Sequence, residues 1–140
     1  MAVLDSFRLD GKTAIVTGAS RGIGRALAEG LAEAGANICI ANRSGHDGRK
    51  AAEEISSSTD AETTAVAVDV TDETDVEQMV EQTLDEFGAI DILVNNAGIA
   101  RMAPAHEMSL ETWNEVIETN LTGVFLCTKH VGGAMIDGDG

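Results

Sequence analysis

Four short apolar runs, each set off from the next by a longer segment of helical period, constrain the fold of this chain more than any other feature. The runs are Thr13 to Thr17, Asn37 to Ala41, Thr64 to Val68 and Ile90 to Val94. Each has about the usual strand length, and their nearly continuous apolar character suits strands covered on both faces. Between the first two, Ile23, Ala26, Leu27, Gly30 and Leu31 recur at helical spacing until Gly35. Asp47 to Ser58 is a weaker helix carried by Ala51, Ala52 and Ile55, with a polar loop from Ser56 to Asp60 behind it. Val76, Met79, Val80, Thr83, Leu84 and Phe87 form a third helix, opened by Thr71 and Asp72 and closed by Gly88. Ser109 is an N-cap for a long helix whose apolar positions include Trp113, Val116, Ile117, Leu121, Val124, Phe125, Val131 and Met135, ending at Ile136-Asp-Gly-Asp-Gly140. This alternation predicts an α/β domain over 1–140 with helices on both faces of a parallel sheet. Right-handed crossovers give strand order 3-2-1-4 and a ligand crevice at the strands' carboxyl ends.

Charge narrows the partners. Nine basic against 24 acidic side chains give a net charge of −15, which repels phosphate backbones and anionic lipid, so neither nucleic acid nor a membrane surface is expected. No apolar run reaches the length of a membrane span, and Met1 to Lys12 lacks the basic start and apolar core of a signal peptide, so a cytoplasmic location is expected. Only three of the basic residues are lysines. The acidity reads either as a solvated, solubilising surface or as adaptation to a salt-rich cytoplasm. Cys39 and Cys127 lie in different elements without metal-ligand neighbours and are expected to be reduced and buried. His46, His106 and His130 are scattered over a loop, a pre-helix segment and a helix, and no metal site is expected.

The first run turns directly into Thr17-Gly18-Ala19-Ser20-Arg21-Gly22-Ile23-Gly24, which opens the first helix. Three glycines there allow a tight turn, close approach of a pyrophosphate and close packing of helix on strand, and the helix N-terminus offers N–H groups to the anion. A P-loop is excluded, because no Gly-Lys-Ser/Thr follows. Cofactor choice follows from charge: an acid at the end of the second strand would repel a ribose 2′-phosphate, but Asn42 stands there, followed by Arg43. With Arg21 reaching from the glycine turn and Ser20 as a further donor, NADP(H) is expected over NAD(H).

The spacing Thr-Gly-x-x-x-Gly-x-Gly resembles the short-chain dehydrogenase/reductase family, whose flavour here is of sugar or polyol dehydrogenases and 3-oxoacyl-carrier-protein reductases. The resemblance runs from Leu9 to about Gly138 and rests on four ordered motifs. It implies that Asp69 and Val70 form an adenine pocket, with the Asp69 carboxylate accepting from the adenine amino group. Asn95-Asn96-Ala97-Gly98 is similar to the family's second signature, whose asparagines brace the sheet and whose small residues leave room for the ribose. Asn120 matches the family's catalytic asparagine, which holds a water of the proton relay and interrupts the helix locally. A Rossmann-like oxidoreductase moving hydride between NADP(H) and a carbonyl or alcohol is therefore implied.

The same resemblance exposes what is missing. Family members carry a catalytic serine after a fifth strand and a Tyr-x-x-x-Lys pair on the next helix, and these 140 residues contain no tyrosine. The resemblance thus implies a domain lacking the later strands, inactive alone, with a homo-oligomer formed through the helix at 109–135. An NADP(H)-binding or regulatory module without turnover, and a non-functional remnant, are the other readings. Ile99 to Met108, with Arg101 and His106, is the loop nearest a substrate.

Overall fold

The computed structural model describes residues 2–138; Met1 and the closing Asp139 and Gly140 of the expected chain end lie outside the described residues. After a 3-10 turn at Val3–Phe7, β1 (Thr13–Thr17), β2 (Asn37–Asn42), β3 (Thr63–Ala67) and β4 (Ile92–Val94) form one parallel sheet in the order β3-β2-β1-β4. The connecting helices are α1 (Gly22–Glu33), α2 (Gly45–Ser58) and α3 (Glu73–Phe87), and α4 (Leu110–Ile117) and α5 (Gly123–Asp137) follow β4. The fold is the Rossmann-like arrangement that the alternation predicts.

The period of two along the strands divides the core. Ala14, Val16, Ile38 and Ile40 face α1 and α2, packing with Ala28, Ala32, Ala51 and Ile55. Ile15, Cys39, Ala41 and Val66 face the other way, packing with Val76, Met79, Leu126 and Val131 of α3 and α5. Both cysteines are free and buried in this second layer, and burial pushes each thiol up to about 11.

Strand and helix ends shift by a residue or two for visible reasons. The sheet pairing of β4 begins at Ile92 rather than Ile90, and Asp91 instead accepts from the Thr13 amide through Oδ2 (2.8 Å) and from Lys12 Nζ through Oδ1 (3.1 Å). Helix α2 starts at Gly45, because Ser44 caps it by accepting from the Asp47 amide at 3.2 Å, and His46 is therefore helical rather than in a loop. Asp72 caps α3 in the same way, and Gly88 closes it in the left-handed conformation with φ +83°.

Helix α1 corrects the expected apolar stripe. Its buried residues are Gly24, Ala28 and Ala32, whereas Ile23 is 75% and Leu27 42% exposed, and Ala26 and Gly30 are exposed too. Both stripes have helical period. The glycine turn brings α1 so close to β1 and β2 that only small side chains fit beneath it, so size selects the inner face.

The long helix expected from Ser109 is two helices joined by a π turn at Glu118–Thr122, in which the Gly123 amide donates to the Glu118 carbonyl. Gly123 opens α5 packed against Val70, in the segment that follows β3: a Cβ there would stand 2.7 Å from Val70 Cγ2. Leu110, Trp113, Leu121 and Phe125 are exposed along α4, the π turn and α5.

Candidate functional site

The turn from β1 to α1 takes its shape from two glycines in the left-handed region, Gly18 at φ +65° and Gly22 at φ +62°. Gly24 is needed for another reason. A Cβ there would fall on Asn96 Nδ2 and lie 2.5 Å from the Gly18 carbonyl oxygen. Asn96 explains that crowding, since its Nδ2 donates at 3.0 Å both to the Thr17 carbonyl and to the Gly18 carbonyl. From the other side the buried Thr17 Oγ1 accepts from the Asn96 and Ala97 amides, each at 3.0 Å. The ends of β1 and β4 are thus clasped together, and the glycine turn is held open above them.

A cleft of about 430 Å³ lies at the carboxyl ends of the strands. Of the expected site residues it brings together Gly18, Ser20, Arg21, Asn42, Arg43, Asp69, Val70, Asn96, Ala97 and Gly98. Thr17, Ala19, Gly22, Ile23, Gly24, Asn95 and Asn120 do not line it. Thr17 and Gly24 lie beneath it as described, Ala19 is buried, and Ile23 points out from α1. Asn95 Nδ2 donates to Thr128 Oγ1 at 3.2 Å, tying the end of β4 to α5. Five further residues line the cleft without having been anticipated, Ala41, Ser44, Asp47, Val68 and Thr119, and Ile99 joins them from the loop expected nearest a substrate. Ser44 could have been found as the residue type that caps a helix just after a strand.

One wall is polar and partly neutralised. Ser20 Oγ donates to Asn42 Oδ1 at 3.2 Å, and Asn42 Nδ2 donates to the Ser44 carbonyl at 3.2 Å, so the end of β2 carries no charge. Arg43 is 79% exposed at its side chain and stands with Nη2 3.6 Å from Asp69 Oδ2. Asp69 Oδ1 accepts from the Thr71 hydroxyl (2.7 Å) and amide (3.0 Å). The Thr71 hydroxyl bond foremost, with the amide bond and Arg43 beside it, holds the Asp69 carboxyl below the usual carboxylate range.

Asn120 sits in the π turn and clasps one backbone residue with both ends of its amide. Its Oδ1 accepts from the Ile99 amide and its Nδ2 donates to the Ile99 carbonyl, both at 2.8 Å. Gly98 must be small beside it, as a Cβ there would stand 3.1 Å from Asn120 Oδ1. One donor and one acceptor direction of the amide remain for another partner. Arg101, proposed from sequence to be near substrate, pairs with Glu115, and His106 is exposed beside Glu107 at 3.5 Å.

Against the expectation of no metal site, one group among the described residues has ligand-like spacing: Glu73, Glu77 and His130. Glu73 Oε1 is already engaged, by Lys129 Nζ and His130 Nε2 at 2.8 Å each. A carboxylate oxygen shared between two donors is a poor start for a cation site.

The residues of the cleft fit a dinucleotide. The turn between β1 and α1, with Gly18 in the left-handed region, borders the cleft through Gly18, Ser20 and Arg21, and the N-terminus of α1 opens beside it. The family described as short chain dehydrogenase matches residues 12–140. The chain is 42% identical over 134 residues to a D-threitol dehydrogenase of Mycolicibacterium smegmatis, covering 96% of this chain and 51% of that protein. It is 46% identical over 127 residues to a 3-oxoacyl-[acyl-carrier-protein] reductase of Escherichia coli, covering 91% and 50%. A crystal structure of a short-chain type dehydrogenase/reductase from Mycobacterium marinum superposes with a TM-score of 0.94 at 41% identity, covering 98% of this chain and 55% of that one. The chain spans about half the length of the curated relatives it matches.

Proposed function

The chain belongs to the short-chain dehydrogenase family, and from that premise we propose that it is the dinucleotide-binding domain, over 1–140, of an NADP(H)-dependent oxidoreductase acting on a carbonyl or alcohol. The observation that carries the cofactor preference is the end of β2: a neutral Asn42, then Arg43, with Ser20 and Arg21 on the facing turn of the same cleft. At the end of β2 itself, no acid stands to accept from a free 2′-hydroxyl. The relatives named as a D-threitol dehydrogenase and a 3-oxoacyl-[acyl-carrier-protein] reductase support a carbonyl or alcohol as the substrate class.

The family resemblance and the lining of the cleft support the following roles. Gly18, with the α1 N-terminus, would take the pyrophosphate and the neighbouring ribose; Arg21, Arg43 and Ser20 would take the 2′-phosphate. Asp69 and Val70 would hold the adenine, and Ala97 and Gly98 leave space for the second ribose. Thr17, Asn96 and Gly24 fix the turn from beneath. The bound dinucleotide would supply or accept the hydride. Asn120 anchors Ile99 at the cleft wall and is a positioning residue for that end of the site.

The 140 residues contain no tyrosine, so the proton transfer that the family gives to that side chain is not made by them. The alternative reading is a module that binds NADP(H) without turnover. Purified chain is expected to gain thermal stability with NADPH yet reduce no carbonyl compound; turnover at an ordinary enzymatic rate would contradict this. Sequence of the gene past codon 140 separates the two readings. A frame continuing into serine and Tyr-x-x-x-Lys supports the oxidoreductase, and a stop codon supports the module.

A further inference from the structure

We propose that Asp47 is a specificity-determining residue of the cleft, an acid that opposes a 2′-phosphate and limits the preference for NADP(H). The proposal rests on the reading of the cleft as a dinucleotide site. Asp47 belongs to two adjoining cavities. It lines the main cleft, and it lines a smaller one of about 270 Å³ between the glycine turn, the start of α1 and α2, together with Ser20, Arg21, Arg25, Lys50 and Glu54. Ser20, Arg21 and Asp47 are common to both, so the smaller cavity is a side annex of the larger, adjoining the residues that would take a 2′-phosphate.

The charges of that annex do not cancel evenly. Arg25 is already matched by Glu29 at 2.7 Å and by Glu54 at 2.9 Å. Arg21 and Lys50 enter no ion pair among the described residues, and neither does the Asp47 carboxylate. An anion arriving there meets two open cations and one open acid. The acid is placed to matter. It occupies the first turn of α2, where the helix field is positive, and its own amide is tied to the Ser44 cap at 3.2 Å. A phosphate beside Ser44 and Arg43 would compete with the Asp47 carboxylate for the same field. Asp47 is exposed, so salt weakens the opposition and low ionic strength reveals it.

The test uses the full chain, titrated at low ionic strength with adenosine 2′,5′-bisphosphate and with 5′-AMP. In Asp47→Asn the affinity ratio of the first to the second is expected to rise about three- to tenfold, and the rise should shrink as salt is added. Asp47→Glu keeps the charge and is expected to leave the ratio within about twofold of the wild type, whereas a purely structural role would move both nucleotides together. An unchanged ratio in Asp47→Asn, or an equal rise in Asp47→Glu, overturns the inference and leaves the dinucleotide reading intact. Failure of either nucleotide to bind any of the three proteins overturns both.

Discussion

Arg43 Nη2 stands 3.6 Å from Asp69 Oδ2 across the mouth of the cleft, joining the residue that would meet a 2′-phosphate to the residue that would meet the adenine. The pair is well exposed, so its own strength is small. Its importance is that it couples two binding contacts. Arg43→Asp is expected to reverse the order of affinity for NADPH and NADH, a change of about ten- to a hundredfold from the loss of one charge-assisted contact. Asp69→Asn releases Arg43 and replaces the charged adenine acceptor with a weaker neutral one, so both nucleotides should weaken by a similar factor. Paired titrations of the two variants check this; a reversal in Asp69→Asn would contradict the assigned roles.

Beneath the cleft, Gly24→Ala is expected to lower stability by about 1–3 kcal/mol, because the new methyl group falls on Asn96 and on the Gly18 carbonyl. Asn96→Asp should cost a similar amount, since a carboxylate would face the Thr17 and Gly18 carbonyls that the amide now serves. Denaturant midpoints measure both. A neutral Gly24→Ala would mean that α1 does not lie as close to Asn96 as described.

The tie between α3 and α5 predicts a pH dependence. The Lys129 hydrogen bond first, then that of His130, holds the Glu73 carboxyl below the usual carboxylate range. A depressed carboxyl contributes stability above its unfolded range and loses it as pH falls through its folded value. Glu73→Gln should therefore flatten the acid limb of the stability curve and leave the curve unchanged in shape near neutrality. Lys129 is raised by the same hydrogen bond, so its share persists from neutrality upward and is lost only as pH climbs through the lysine range. Thermal midpoints across acid pH, wild type against Glu73→Gln, provide the check; parallel curves would contradict it.

With a net charge of −15, the chain is expected to become more stable as salt rises, with sulfate more effective than chloride because sulfate also strengthens apolar burial. The exposed face of Leu110, Trp113, Leu121 and Phe125 is expected to mediate self-association as the charge is screened. Light scattering along a salt series, with Phe125→Glu for comparison, tests both. A monomer that is equally stable at low and high salt would contradict them. Among the described residues no helix is long and apolar enough to cross a membrane.

The sheet order and the glycine turn were legible because both are local patterns: apolar runs of strand length, and glycines placed where the backbone must turn. The inner face of α1 was not legible, since Ile23-Leu27 and Gly24-Ala28-Ala32 share one period and only the closeness of the sheet chooses the small residues. The break at Glu118–Thr122 followed from family resemblance, not from periodicity, which runs straight through it. Nor could sequence show that Arg43 meets Asp69. The register that pairs Ala41 with Val66 and Asn42 with Ala67 brings the two strand ends together, and Asp47 reaches the cleft only because Ser44 starts α2 so soon after β2.

A cleft above Asn96 and Gly24 that holds a dinucleotide and prefers the 2′-phosphate must tell NADPH from NADH. Titration calorimetry of the purified chain with NADPH and with NADH, at one fixed ionic strength, tests this most directly. Saturable binding of one nucleotide per chain is expected, with NADPH tighter by about tenfold or more. Equal affinities would contradict the roles of Arg21 and Arg43, and no binding of either nucleotide would contradict the site itself.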